Sequence, residues 1–368
     1  MIAFLIILSS CSRFEHMKGV HIILQKPEIR ERYGGEMGAL ADELKSAGVT
    51  HVIVPVFKNG TAYYPSDILP QRWAYGTDLL AFRHALRRVN IDFVAKLEIF
   101  SDEYSFNTQP ELRAVDEYSS TRYSETVSGI CPSDKEYRQY KLNAILEVML
   151  IFRPDGIYLE NLSFPMEEHD ICSGMQIAHL RQFCFCHKCV STFAQHAQID
   201  IPEHLSNHEL NKWILDNHLQ EWISWKTASI DKFMEKTNKL IKDHDPSCKI
   251  MLNILPWEEN EFNFGRQRLA GQDVKTLANF TDHFVMSTSC QIPDERYDEI
   301  RLSILKEISG TESKITPTIE LKVDSGKNNE EDFRSSLQHF EDRVIVSGWG
   351  YMLKNRRYLN IFTSEHNK

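Results

Sequence analysis

The 368-residue chain carries 42 Lys and Arg against 52 Asp and Glu, a formal net charge of −10, with 42% hydrophobic and 26% charged residues. These are globular proportions with material for a large core. No long basic run is present, so the balance argues against sequence-independent nucleic-acid binding, which needs Lys and Arg to neutralise phosphates. Length alone admits two ordinary domains or one large barrel. The 20 Phe, 13 Tyr and 6 Trp suit a site for carbohydrate, whose apolar faces stack on flat rings, and equally suit a core.

The chain opens on an apolar run, Ile2–Leu8, that ends in Leu8-Ser9-Ser10-Cys11. A membrane-spanning helix needs about 20 apolar residues, so this run is too short to cross a bilayer. Small residues ahead of a cysteine resemble the end of a bacterial lipoprotein signal. That resemblance implies an anchor segment over residues 1–18, Cys11 as the lipidated residue, and an exported protein that meets the membrane only through its lipid. No Lys or Arg precedes the run, although signal peptides carry a basic start.

From residue 19 onward, strand and helix patterns alternate. Residues 19–24 read as a first strand, 36–47 as a helix with Met37, Leu40, Ala41 and Leu44 on one face, and 50–57 as a second strand. A helix over 78–89 and a third strand over 91–100 follow, then a polar loop to about Gly129. Ser133 with Glu136 three residues later is a capping-box pattern for a helix over 133–152. Residues 156–160 form the fourth strand, and a cysteine-bearing insertion occupies about 162–206. Helical spacing then holds over 207–244. The remaining strands fall at 249–257, 283–289, 315–321 and 344–351, with helices at 273–280, 295–308 and 329–340. No Gly-rich dinucleotide fingerprint, Gly/Ser/Pro-rich linker or internal repeat interrupts them. The alternation predicts an α/β fold, a (β/α)8 TIM barrel over 19–368 with an elaborated loop after strand four.

Chemistry in such a barrel sits at the carboxyl ends of the strands. Glu160 ends strand four in Asp155-Gly-Ile-Tyr-Leu-Glu-Asn161, and Glu320 ends strand seven. Glycoside hydrolysis needs two carboxyl groups, one a proton donor and the other a nucleophile or base. Glu160 and Glu320 face each other across the mouth in this reading, and Glu98, near the end of strand three, is a third candidate. Lys96 and Asn161 are candidate partners for sugar hydroxyls, and Trp257, Trp349 and Tyr351 candidate sugar platforms. The absence of H-E-x-x-H, G-x-S-x-G and P-loop motifs lowers metalloprotease, esterase and NTPase readings.

Cys184, Cys186 and Cys189 stand at C-x-C-x2-C spacing, which can set three thiolates around a tetrahedral zinc. A fourth ligand is available in Cys131, Cys172, His169, His179 or His187. Two disulfides are the rival in an oxidising compartment, although a C-x-C pair closes poorly on itself. Four cysteine ligands leave no open coordination position, which makes the zinc structural and leaves catalysis without a cofactor. Cys248 and Cys290 read as core residues.

Ile130-Cys131-Pro132-Ser133 and Tyr137-Arg138, ahead of Asp155–Pro165 with its Phe164-Pro165 pair, resemble bacterial glycosyl-hydrolase-like barrel lipoproteins. The spacing of Ala41–Leu44, Val52–Phe57 and Tyr64-Pro65-Ser66 fits the opening of that family, so the likeness covers most of residues 19–165. Cys131 with Cys184, Cys186 and Cys189 also resembles the zinc loop of family forty-two β-galactosidases. That resemblance implies those four cysteines as zinc ligands, Glu160 as acid/base and Glu320 as nucleophile. The order departs from that clan, which ends strand four in Asn-Glu where this chain has Glu160-Asn161. In other barrel hydrolases the strand-four carboxylate is the nucleophile, which would reverse the two roles. The expected function is hydrolysis of an oligo- or polysaccharide. The alternative is a surface carbohydrate-binding barrel lipoprotein without turnover.

Overall fold

The apolar runs pair as parallel strands. A computed structural model describes residues 14, 16–71, 76–121, 128–166, 180–287, 294–311, 314–321, 329–340 and 343–365. Its strands are β1 (Met17–His21), β2 (His51–Lys58), β3 (Thr61–Ala62), β4 (Asp92–Glu98), β5 (Gly156–Glu160), β6 (Lys249–Ile254), β7 (His283–Ser287), β8 (Lys314–Glu320) and β9 (Arg343–Ser347). Neighbours follow chain order, and β1 pairs in parallel with both β2 and β9, which closes the sheet. The short β3 is an antiparallel appendage on β2. The structure is therefore the expected (β/α)8 barrel, with helices between successive strands and Cys184, Cys186 and Cys189 following β5.

Closure with alternating side chains divides the apolar residues into two cores. Inside the barrel, Met17, Ile53, Val94, Tyr158, Met251, Val285 and Ile345 pack as one buried layer. Phe14 plugs the floor beneath them, edge-on to His51 with centroids 4.5 Å apart and 5.7 Å from His283. The larger core lies outside, between the strands and their helices.

Several boundaries differ from expectation for local reasons. The helix before β5 runs Lys135–Phe152 and is capped by Asp134, whose Oδ1 accepts from the Glu136 and Tyr137 amides; Ser133 instead meets the Ser229 hydroxyl at 3.1 Å. The expected helix over 207–244 is two helices, Asn207–Asn217 and Leu219–His244, divided at His218 where φ is −135°. A capping box from Ser206 and Glu209 starts the first. The last strand stops at Ser347 because Gly348 turns with φ +115°, where a Cβ would lie 2.7 Å from the Leu321 carbonyl oxygen. Trp349 and Tyr351 consequently belong to a helix, Trp349–Lys354, rather than to the strand. Helices at Pro27–Tyr33, Glu103–Thr108, His187–Ala197 and Arg356–Ser364 were not expected, although the last carries a clear apolar face in Tyr358, Leu359, Ile361 and Phe362.

The β2–β3 hairpin turns on Asn59-Gly60, both at positive φ, the pairing preferred by two-residue hairpin loops. Gly60 is also pressed against Asp102: a Cβ there would lie 1.8 Å from Asp102 Oδ1. Asp102 is fully buried with Lys141 at 3.0 Å and accepts from the Tyr137 hydroxyl at 2.8 Å and the Ser105 amide at 2.7 Å. Burial alone would raise its pKa, but the Lys141 charge and these donors hold it below the ordinary value. Gly60→Ala strains the turn and displaces half of a buried ion pair. We expect a loss of about 2–4 kcal/mol in urea unfolding at neutral pH, with unchanged stability counting against this account.

Candidate active site at the barrel mouth

Inward-facing positions are fixed by register. Because β4 and β5 are paired with Glu98 opposite Glu160, the two carboxylates stand side by side at the C-terminal rim, on strands about 4.8 Å apart. Lys96, one inward position below Glu98, reaches up so that its Nζ lies 2.6 Å from Glu160 Oε1. The same ammonium sits 5.3 Å from the centroid of Tyr158. Glu98 is nearly covered, its side chain 7% exposed against 23% for Glu160. Its Oε2 accepts the Asn59 amide at 2.7 Å, and Lys58 stands 3.7 Å from its other oxygen.

Burial, then the Glu160 charge, push the Glu98 carboxyl above its ordinary value, against the pull of Asn59, Lys58 and Lys96. His21, at the end of β1, is held well below the ordinary imidazole value, first by burial and then by the Lys96 and Lys58 charges. Its Nδ1 lies 3.5 Å from the Ser347 hydroxyl, and its buried Nε2 has no hydrogen-bond partner among the described residues. Sequence reasoning missed His21 and Lys58. Counting alternate residues forward from the inward Met17 and Gly19 would have found His21. Lys58 was hidden by the register shift between Pro55 and Phe57 in β2.

Glu320 ends β8, exposed, in register with Ser347 of β9. It shares the rim with Glu160, three barrel strands away around the closed sheet. Asn161 adopts the left-handed conformation, φ +53°, and its carbonyl accepts the Phe100 amide at 3.1 Å. Asn tolerates that conformation better than most residues, so it ends the strand directly after Glu160. The Glu-Asn order thus has a backbone cause.

Two of the three expected sugar platforms are buried. Trp257, 5% exposed, packs with Leu180, Leu269 and Phe262, and Trp349, 1% exposed, belongs to the outer core. Tyr351 is half-buried edge-on to Tyr358, with centroids 5.1 Å apart. A ring that stacks on a sugar must present a face, and the two tryptophans give theirs to the protein.

Beside the mouth, Cys131, Cys184, Cys186 and Cys189 bring their sulfurs within 4.8 Å of one another. Cys131 Sγ lies 3.3 Å from Cys189 and 3.7 Å from Cys186, and all four are free thiols rather than disulfides. Four sulfurs around a tetrahedral ion with bonds of about 2.3 Å are about 3.8 Å apart, so the cluster can hold a structural metal. The Val115 amide donates to Cys184 Sγ at 3.4 Å, the kind of outer contact that orients a thiolate. Cys131 lies just before the helix leading into β5; Cys184 lies in the loop leaving β5, Cys186 caps the helix His187–Ala197, and Cys189 stands in that helix's first turn. The other proposed donors divide: His187 is the first residue of its helix and outside the cluster, while His169, Cys172 and His179 lie outside the described residues. Cys248 is buried as expected; Cys11 and Cys290 also lie outside the described residues.

No protein-family model matches the chain, and no curated protein matches it in sequence. Solved structures do match its fold. The PgaB (BpsB) glycoside hydrolase domain from Bordetella bronchiseptica superposes with a TM-score of 0.67 at 12% identity, over 95% of this chain and 99% of that one. The α-L-fucosidase isoenzyme 2 of Paenibacillus thiaminolyticus gives 0.65 at 14% identity, over 96% and 49%. A β-galactosidase from Rahnella sp. R3 gives 0.63 at 12% identity, over 95% and 56%. The chain thus spans about half the length of the latter two. Its structural neighbours are glycoside hydrolase barrels.

The raised Glu98 carboxyl has a consequence for stability. A carboxyl whose folded pKa exceeds its unfolded value stabilises the fold fully below the unfolded pKa, and that contribution is lost as pH rises through the folded one. Glu98→Gln removes this loss while keeping an acceptor for Asn59. Thermal unfolding should show the variant gaining on the parent protein as pH rises from 4 to 8; a gap independent of pH would overturn the assignment. The metal cluster has a separate check: elemental analysis should find one metal ion per chain, absent from Cys131→Ser, which should also melt at a lower temperature.

Proposed function

We propose that the chain is a glycoside hydrolase acting on an oligo- or polysaccharide, with Glu160 and Glu320 as its two carboxyl groups. The observation that carries this reading is Glu160 itself, a partly exposed carboxylate at the C-terminal rim of a closed parallel barrel, 2.6 Å from Lys96. One carboxyl protonates the departing glycosidic oxygen; the other attacks the anomeric carbon or activates water against it. Lys96 and Asn161 are placed by this reading at sugar hydroxyls. Glu98, buried and fastened to Asn59, acts as a positioning residue that keeps Lys96 and Glu160 in place. A structural zinc on Cys131, Cys184, Cys186 and Cys189 would brace the loop beside the mouth and take no part in bond cleavage.

A second reading, a carbohydrate-binding barrel without turnover, draws support from the same contact. One oxygen of Glu160 is already engaged by Lys96, and the tryptophans expected at the mouth are buried. A panel of aryl glycosides and polysaccharides separates the two. Glu160→Ala and Glu320→Ala should each lower kcat by about 10³-fold or more on any substrate found. Full turnover in either variant removes that residue from the mechanism, and binding without turnover in the parent protein favours the second reading. Lipid attachment at Cys11, and with it export, is part of the proposal on sequence alone; palmitate labelling lost in Cys11→Ser checks it.

A further inference from the structure

A second concave site lies outside the barrel, away from the rim carboxylates. A groove of about 610 Å³ runs between the helices Lys135–Phe152, His187–Ala197 and Leu219–His244. Its charged and titratable lining is Lys135, Arg138, His196, Lys232 and Lys236, and none of its lining residues is acidic. That is a marked segregation in a chain with 52 acidic and 42 basic residues. Elsewhere on the same surface lysines are paired: Lys188 with Asp134 at 2.5 Å, Lys239 with Asp243 at 2.7 Å and Lys242 with Asp282 at 3.1 Å. Among the described residues, Lys135, Lys232 and Lys236 have neither an ion-pair nor a hydrogen-bond partner.

Arg138 supplies a fixed charge at the groove's floor. Its Nη2 donates to the Ser229 carbonyl at 2.7 Å and hydroxyl at 2.6 Å, and its Nε to the Pro132 carbonyl. Lys232 and Lys236 stand one helical turn apart on the helix Leu219–His244, about 6 Å along the axis, and Lys135 lines the same groove from the first residue of the helix Lys135–Phe152. Mutual repulsion among these ammonium groups is relieved only by solvent or an anion. The spacing suits a ligand with several negative groups rather than a single ion.

We propose that this groove binds an acidic oligosaccharide, one carrying carboxylate or sulfate groups, apart from the mouth and independently of turnover there. The rings in the lining argue against a single-stranded nucleic acid, and recognition of the saccharide rests on its charges rather than on stacking. Trp225 and Phe233 are 5% and 1% exposed, so neither offers the open face on which bases stack.

The test uses the full chain carrying Glu160→Gln, so that binding is read without cleavage at the mouth. Titration calorimetry with polygalacturonate and with dextran sulfate, at about 50 mM salt, should show binding that weakens at about 300 mM. Neutral dextran serves as the uncharged control. The double variant Lys232→Glu/Lys236→Glu should bind at least about tenfold more weakly with its unfolding temperature unchanged. Lys212→Glu, a charge reversal outside the groove, controls for net charge and should bind normally. The response to the two polymers tells carboxylate from sulfate recognition. No binding of either polymer, equal binding by the double variant, or tighter binding of oligo-dT than of both polysaccharides would each overturn the proposal. Because turnover is never measured, failure here leaves the mouth assignment standing, and failure at the mouth leaves this one standing.

Discussion

Two carboxylates opposite one another on neighbouring strands repel, and the mouth of this barrel is arranged around that repulsion. Register leaves no freedom, since a one-residue slip between β4 and β5 would turn every inward side chain outward. The opposition of Glu98 and Glu160 is met by Lys96, which takes Glu160, by Lys58, which approaches Glu98, and by the Asn59 amide. The β2–β3 hairpin that supplies Lys58 and Asn59 is itself seated on the buried Asp102–Lys141 pair through Gly60. A rim carboxylate is thus supported by successive charge contacts that end in the fully buried Asp102–Lys141 pair. Burial first, then the Lys96 and Lys58 charges, hold the His21 imidazole beside them well below its ordinary value.

The segment Asp155–Asn161 serves two ends of the barrel. Asp155 accepts the Phe93 amide at 2.8 Å and lies 3.2 Å from Arg83, tying β4 to β5 at their start. Gly156 leaves room for Phe14, whose ring would be 3.3 Å from any Cβ placed there. Ile157 and Leu159 face the outer core and Tyr158 the inner one. Only Glu160 and Asn161 remain for the mouth. The cysteine cluster brackets the same strand, joining the approach to its helix with the loop that leaves it.

Much of the fold was legible because its signal is periodic. Every barrel strand was placed within a few residues, and Leu40, Ala41 and Leu44 are buried on the helix where their spacing put them. The errors share a cause, since isolated short-range patterns competed with tertiary geometry. Ser133 and Asp134 are both capable caps, and the carboxylate won while also taking Lys188. Trp349 read as the end of a strand because nothing in the sequence marks the Leu321 carbonyl that crowds Gly348. The cysteine cluster was legible from spacing together with a family resemblance. His21 and the charge ladder were not, because they depend on which residues of distant strands come to lie side by side. Burial of Trp257 and Trp349 was beyond reach for the same reason.

The floor has a geometric meaning of its own. Phe14 occupies the N-terminal end of the barrel, under β2, β5 and β7, while the carboxylates stand at the opposite end. Anything joined to the chain at Phe14 itself therefore meets the base of the barrel, at the end opposite the mouth. Such a junction leaves the rim, with Glu98 and Glu160, on the far side of the barrel.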